Sequence, residues 1–435
     1  MEEIMKRKLL TLLVAFCLLL SQMTGLAFAA DSDTPYNEAL EKTKTYITKQ
    51  LAEKGATYGT EWMILGLARS GADLNDKLFG DYYNDVVKTV KECKGVLHNR
   101  KYTAYSRTIL ALSAIGKDPR NVGGYNLLEK LADFNQVTWQ GINGTIWALI
   151  ALDCKNYEIP KVKGVKVQTT RDKLIEEILR QQLADGGFAL SGEKADVDIT
   201  AMALQALAPY TGRSEVKKAV DKAVQCLSGL QQDTGAFGSW GTVNAESTVQ
   251  VIIAMTALGI DPGKDERFVK NGKSAIDGLM TFYDPQGGFR HVNTAVDGYQ
   301  PVINGMATEQ GFYGLVAYDR FVNKKNTLYD MTDGEKPLAK PAKAVISSLK
   351  SSKAKTFVVK WKKVTNASGY QIVYSTSSKF TASKTASVSK TALSKTVKSL
   401  KSAKTYYVKV RAYRTDAKGN KIYGSYSTVK KVKVK

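Results

Sequence analysis

Apolar residues along the middle of the chain alternate between two patterns. Six segments are apolar at nearly every position and rich in Ala and Gly: Leu65–Gly71, Leu110–Gly116, Trp147–Asp153, Ala203–Ala208, Ile253–Gly259 and Gly314–Asp319. Between them lie Tyr36–Leu51, Asn84–Lys94, Gly124–Phe134, Arg171–Gln182, Ser214–Leu230 and Glu266–Phe282, with apolar residues at three-and-four spacing and charge on the opposite face. Leu174, Ile175, Ile178 and Leu179 against Arg171, Lys173, Glu176 and Glu177 illustrate the second pattern. A helix apolar on all sides is buried, and a helix with one apolar stripe lies at the surface. The end markers of the apolar segments recur every 37 to 60 residues, the length of a helix pair with its loops. Six helices of each kind predict two concentric rings, an all-α (α/α)6 toroid over residues 31–330. An open superhelix of helical pairs is the alternative.

The pattern changes after residues 331–341, a segment with two prolines and mixed charge that reads as a linker. Phe357–Trp361, Tyr370–Tyr374, Tyr406–Tyr413 and Ile422–Val434 alternate with period two, and Asp416–Asn420 reads as a turn. Residues 342–435 are therefore expected to form a small all-β sandwich. At the other end, Lys6, Arg7 and Lys8 precede an apolar run from Leu9 to Leu20, and Ala27-Phe28-Ala29 supplies a small-x-small cleavage site. Residues 1–30 thus read as a secretory signal peptide, and twelve apolar residues are too few for a membrane span. Bulky Phe16 before Cys17 argues against lipidation. No membrane span is expected after cleavage.

Charge sharpens this division. Residues 336–435 hold 25 Lys and Arg against one acid, Asp416, a net +24; the other 38 bases and 40 acids leave −2. For an exported protein the expected partner of such a block is an anionic cell-wall polymer, with nucleic acid set aside. Cys93, Cys154 and Cys226 are too sparse for a disulfide framework. His98 and His291 are the only histidines and no Cys-x-x-Cys occurs, so no metal and no cofactor are expected.

The loops of the helical region share a device. Gln182-x-x-x-Gly186-Gly187-Phe188 and Gln231-x-x-x-Gly235-Ala236-Phe237 match, and Gly287-Gly288-Phe289 repeats it with Tyr283 in the Gln place. These loops resemble the QW-type repeats of terpene cyclases and prenyltransferases, a resemblance covering about residues 35–325 and clearest in the last three repeats. It implies the toroid fold far more than a chemistry. Asp196-Val197-Asp198-Ile199-Thr200-Ala201 resembles the Asp-x-Asp-Asp-Thr-Ala acid motif of squalene–hopene-type cyclases. On that resemblance Asp198 is the catalytic acid and Asp196 its neighbour, but Ile199 stands where the third acid belongs. The simpler expectation is that a carboxylate here caps an inner helix, with Asp198 satisfied by local amides or by Thr200. In the C-terminal segment Trp361, Gly369-Tyr370 and Leu400-x5-Tyr406-x-Val408-x-Val410-x-Ala412 resemble a fibronectin type III domain, with Tyr406 as its tyrosine corner.

Acids also open other inner helices. Glu61, Asp198 and Glu309 fall ten residues before their end markers and Glu246 thirteen before, so they should meet at one mouth of the ring. Helix-dipole complementation accounts for acids in that place, and a ligand-binding rim is the functional reading. Glu61, Glu246, Glu309 and Trp240, which follows the second Gly-rich loop, are the candidate ligand-binding residues. No Asp-Asp-x-x-Asp run, Gly-x-Ser-x-Gly elbow or phosphate-loop signature occurs. The expected function is an exported, envelope-associated protein whose toroid binds an unknown small ligand. A terpene-cyclase-like enzyme using Asp198, and a polysaccharide-active enzyme, are the alternatives.

Overall fold

The computed structural model describes residues 35–296, 298–333, 340–415 and 421–435. The signal segment at 1–30 and the Asp416–Asn420 turn lie outside the described residues.

All six apolar segments form helices: α2 (Glu61–Arg69), α4 (Thr103–Ala114), α5 (Ile142–Asp153), α7 (Val197–Leu207), α9 (Ala245–Ala257) and α11 (Gly305–Val322). They are buried along most of their length, and in α9 every residue from Ala245 to Thr256 is shielded from water. Each contacts the next in chain order, and α11 returns to contact α2, so the contacts close in a cycle. Small residues permit this proximity. Gly66 of α2 meets the Phe312 ring and Gly314 of α11 meets Val249, each with less room than one added carbon needs.

Amphipathic helices α1 (Pro35–Lys54), α3 (Lys77–Glu92), α6 (Arg171–Arg180) and α8 (Ser214–Leu230) form where the spacing predicts them. Two expected outer helices do not. Gly124–Phe134 contains only a 3-10 turn, Leu127–Ala132, and Glu266–Phe282 is divided into a 3-10 turn, a hairpin and the short α10 (Ala275–Met280). The cause in the second case is Asn271-Gly272, both at positive φ, which turns Val269–Lys270 back onto Lys273–Ser274. Asn-Gly is the strongest short hairpin signal, and it overrides the apolar spacing around it.

The helical core also takes in Leu328, Tyr329 and Met331, and Asp333 pairs with Arg69 and Arg320. Packing thus continues three residues into the segment read as a linker. No described helix is long and apolar enough to cross a membrane.

The C-terminal region has its own core. One sheet has the order β5-β2-β1, from Ser394–Val397, Phe357–Trp361 and Ile346–Lys350. The other has the order β4-β3-β6-β7, from Lys384–Ser389, Gly369–Ser375, Thr405–Thr415 and Lys421–Tyr423, and β8 (Lys430–Lys433) also pairs with β6. All pairings are antiparallel. Trp361 packs on Tyr370, and Tyr406 accepts a hydrogen bond from the Lys401 amide at 3.2 Å, as a tyrosine corner would.

Candidate functional site

Three of the last helix pairs are built around one hydrogen-bond device. The hydroxyls of Thr200, Thr248 and Thr308 accept from the amides of Phe188, Phe237 and Phe289 at 2.8, 2.9 and 2.9 Å. Each bond ties a Gly-rich loop to the first turn of the inner helix that follows. Gln182 donates to Gly186 O and Ala219 O, and Gln231 to Gly235 O and Phe268 O, so each amide clasps its own loop to the next outer segment. These loops fix where the inner helices start, and hence where Asp198 and Glu246 in the first turn, and Glu309 just beyond it, lie.

At α7 the cap is Asp196, which accepts from the Ile199 amide at 2.9 Å and also takes the Ser239 hydroxyl. Asp198 is not capped by local amides or by Thr200, contrary to expectation, because Thr200 is committed to Phe188. Its Oδ1 is buried with no hydrogen-bond partner among the described residues. Burial pushes the Asp198 carboxyl up to about 6; the nearby Ser247 hydroxyl opposes this, and the charges of Asp196 and Glu246 add to it. Glu246, in the first turn of α9, holds His291 Nδ1 at 2.7 Å, and the His291 ring lies against Tyr299. Burial raises the Glu246 carboxyl, and His291 opposes that rise.

A second group forms across α2, α4 and α11. Glu61 is fully buried, accepts from the Gly59 amide at 3.1 Å and stands 3.0 Å from Arg107 Nε. Glu309 is pushed up to about 7 by burial, with Arg107 opposing and Glu61 reinforcing. Beneath the acids lies a band of amides. Gln205 donates to Gln250, which donates to Gln310 at 2.9 Å and to Tyr313 at 3.1 Å. Trp62, next to Glu61, packs on Trp147 and Tyr313.

Of the residues singled out by sequence, Asp196, Asp198 and Glu246 therefore come together, and Glu61 and Glu309 meet around Arg107. Glu61, without solvent exposure, positions Arg107 and has no open face for a ligand. Trp240 stands apart, 84% exposed, in the turn between Phe237–Ser239 and Thr242–Asn244. Trp240 and Gly241 both have positive φ, a geometry that favours Asn-Gly and is costly for a bulky side chain. Other exposed apolar residues sit in the same relation to an inner helix: Trp139 before α5, Leu190 before α7, Tyr299 and Val302 before α11, and Met306 at its start. Sequence reading missed Arg107 and His291, which lie in different repeats from the acids they serve. An unpaired acid at a helix start was the available signal that a base must face it.

At the opposite end, residues 327–330 pack against the inner helices. Arg69 donates to Leu328 O, Thr327 O and Asp330 O, and Tyr329 stands edge-on to Trp147. A cavity of about 210 Å³ remains there, bounded by Ile150, Gln205, Ile253 and Tyr329. Among the described residues no group of three or more His, Cys, Asp or Glu is arranged to hold a metal.

Residues 144–316 match the family model of the squalene-hopene cyclase C-terminal domain. No curated protein matches the chain. The FN1–FN3 domains of chicken CNTN1 are 26% identical over 23% of this chain and 33% of that one, with a TM-score of 0.19. The fn3 domain of human contactin 1 is 18% identical over 24% of this chain and 90% of that one, with a TM-score of 0.19. The chain thus spans a third of the length of the chicken structure it matches. The helical region is terpene-cyclase-like over the matched residues, and the C-terminal β-region has fibronectin type III-like neighbours.

Proposed function

We propose that this is an exported binding protein. Its helical domain, a closed α/α toroid, takes a small ligand with a cationic group and an apolar body at the mouth formed by the inner-helix N-termini. Its fibronectin type III-like module holds it to an anionic cell envelope. The observation that carries the ligand reading is the mouth itself. Asp196 and Asp198 come together with Glu246, which holds His291, and Glu309 lies by Arg107, near the starts of helices preceded or opened by exposed Trp139, Leu190 and Met306. Apolar groups exposed beside buried acids suit a ligand that covers the first and neutralises the second. The cyclic contact order of the inner helices supports the toroid. The charged and apolar segments at residues 6–20 support export, and the +24 of residues 336–435 supports envelope contact.

Binding of a fluorescent alkyltrimethylammonium to the mature protein tests the ligand reading. The Asp198 carboxyl at about 6 and the Glu309 carboxyl at about 7 are protonated at pH 5 and ionised at pH 8. Affinity should therefore rise about tenfold over that interval, equivalent to about 1.4 kcal/mol. It should fall in Glu246→Gln, and a neutral alkyl alcohol of equal length should bind weakly throughout. Equal affinity for the alcohol, or no dependence on pH, would sink the reading.

The cyclase-domain match, which spans Asp198, favours a second reading in which that carboxyl protonates an alkene. Its environment opposes this. Burial and two neighbouring acids hold Asp198 near 6, which makes it a weaker acid than an ordinary carboxyl, and alkene protonation requires a stronger one. Turnover of a polyprenoid alkene that is lost in Asp198→Asn would restore the enzyme reading.

A further inference from the structure

The five-stranded sheet of the basic module turns β3 and β6 residues outward in a repeating pattern. Along β6, Tyr406, Val408, Val410 and Ala412 enter the core, and Tyr407, Lys409, Arg411 and Tyr413 face the other way. Opposite them on β3 are Ser375, Val373, Gln371 and Gly369, in register. This outer face is not a spread of free lysines. Lys409 Nζ lies 4.0 Å from the Phe380 ring centroid and 4.3 Å from that of Tyr426. The Arg411 guanidinium lies 3.6 Å from the Tyr423 ring and 4.5 Å from that of Tyr426. Gln371 Oε1 fixes it further, accepting from Arg411 Nε at 2.8 Å and from the Tyr426 hydroxyl at 3.3 Å. Lys421 packs over Tyr413 at 4.6 Å, extending the row.

Rings hold these cations in place without neutralising their charge. Neither Lys409 nor Arg411 has an ion pair among the described residues, and the module's only acid, Asp416, lies outside them. Among the described residues Arg411 gives only its Nε to a hydrogen bond, which leaves the planar donors at its other nitrogens for a bidentate anion. Cation–π contact lowers the entropy lost when an anion binds, because the side chains are already ordered.

We propose that this face is a built binding site for a polyol phosphodiester chain. The proposal rests on the envelope-contact reading and narrows it from the charge of the whole module to Lys409, Arg411 and their aromatic cradle. Residues two apart on a strand are about 6.8 Å apart, close to the spacing of successive phosphates in an extended phosphodiester chain. The rings distinguish this partner from a single-stranded nucleic acid. Protein rings that bind such strands offer bare faces on which bases stack. The Phe380, Tyr423 and Tyr426 rings are engaged by the cations instead, so the site favours a chain that carries charge without bases.

The test titrates the full mature chain with purified poly(glycerol phosphate) across a range of salt. Lys409→Gln with Arg411→Gln should weaken binding about tenfold and lower the slope of log K on log salt by about two, one for each phosphate that is no longer neutralised. Lys350→Gln with Lys360→Gln removes the same charge from exposed positions on the other sheet and should change affinity less than about twofold. Tyr426→Leu leaves the charge intact and removes the shared ring, so it should weaken binding severalfold; Arg411→Lys, which preserves charge and is expected to fold, should do the same. Equal losses in the two glutamine pairs would mean a diffuse field, overturning this site while envelope contact stood. No binding by the unaltered protein at low salt would end both. Tighter binding of an oligodeoxynucleotide than of poly(glycerol phosphate) would overturn the choice of partner.

Discussion

Asp198 shows how much one residue's place in a helix turn decides. Two residues earlier, Asp196 has the cap geometry, a backbone amide and the Ser239 hydroxyl, and it is a satisfied carboxylate. Asp198 has burial and two acidic neighbours. Its folded-state pKa is raised from 3.8 to about 6, so protonation favours the fold. That stabilisation is complete below about pH 4 and is lost as pH rises through 6. Asp198→Asn carries no charge at any pH. The variant should unfold at the same urea concentration as the parent near pH 4 and be more stable by about 2 kcal/mol at pH 7.5, a value reduced for its partial contact with water. Lower stability of the variant at pH 7.5 would show that the ionised carboxylate holds a structural bond. The motif Asp196–Ala201 was legible in the sequence, but which of its two acids caps the helix was not, since one residue of difference in the helix start exchanges their roles. Arg107 and His291 were not legible at all. His291 lies 45 positions from Glu246, and only the fold brings those positions together.

At the scale of elements the sequence was most readable where apolar pattern and loop chemistry agree. The six inner helices form where the segments are apolar at nearly every position, and the Gln-x-x-x-Gly loops recur because each Gln bridges a carbonyl of its own loop to one of the next outer segment. The third loop has Tyr283 in that place, which packs at a tilt against Phe289, and its single hydroxyl cannot donate to both carbonyls. Reading failed where a turn signal interrupted the pattern, at Asn271-Gly272, and where Gly123 and Gly124 at positive φ precede the 3-10 turn. Gln231→Ala should therefore leave the Gly235 and Phe268 carbonyls without that donor and cost about 2 kcal/mol in urea denaturation. Gln182→Ala, whose clasp is less buried, should cost less. A Gln231 variant within about 0.5 kcal/mol of the parent would mean that water replaces the amide without loss and that the loop's backbone turn is sufficient alone.

The whole molecule joins a nearly neutral helical domain to a module holding the entire excess of positive charge, and this separation was plain from the sequence. How the cycle of inner helices is held shut was not. Arg69 comes from the last turn of the first inner helix and Arg320 from the last turn of the final one. Both reach Asp333, at 2.8 and 2.5 Å, and Arg320 also donates to the Arg69 carbonyl. Burial and the Arg320 charge beside it push the Arg69 pKa down, so the pair depends on Asp333 for compensation. Residues 327–333 thus act as a clamp between the last turns of the first and the final inner helix. Asp333→Asn leaves two buried guanidiniums facing each other with no carboxylate between them. Removing one member of a buried ion pair costs about 3 to 5 kcal/mol, and the partial exposure of Asp333 reduces the expectation to about 2. The loss should fall on the helical domain alone. The sandwich has a separate core, so its unfolding, followed through Trp361 in a variant lacking the other tryptophans, should occur at the same urea concentration with or without the substitution. A common shift of both transitions would mean that the two cores unfold as one unit. An unchanged helical transition would mean that the cycle closes by packing, without the clamp.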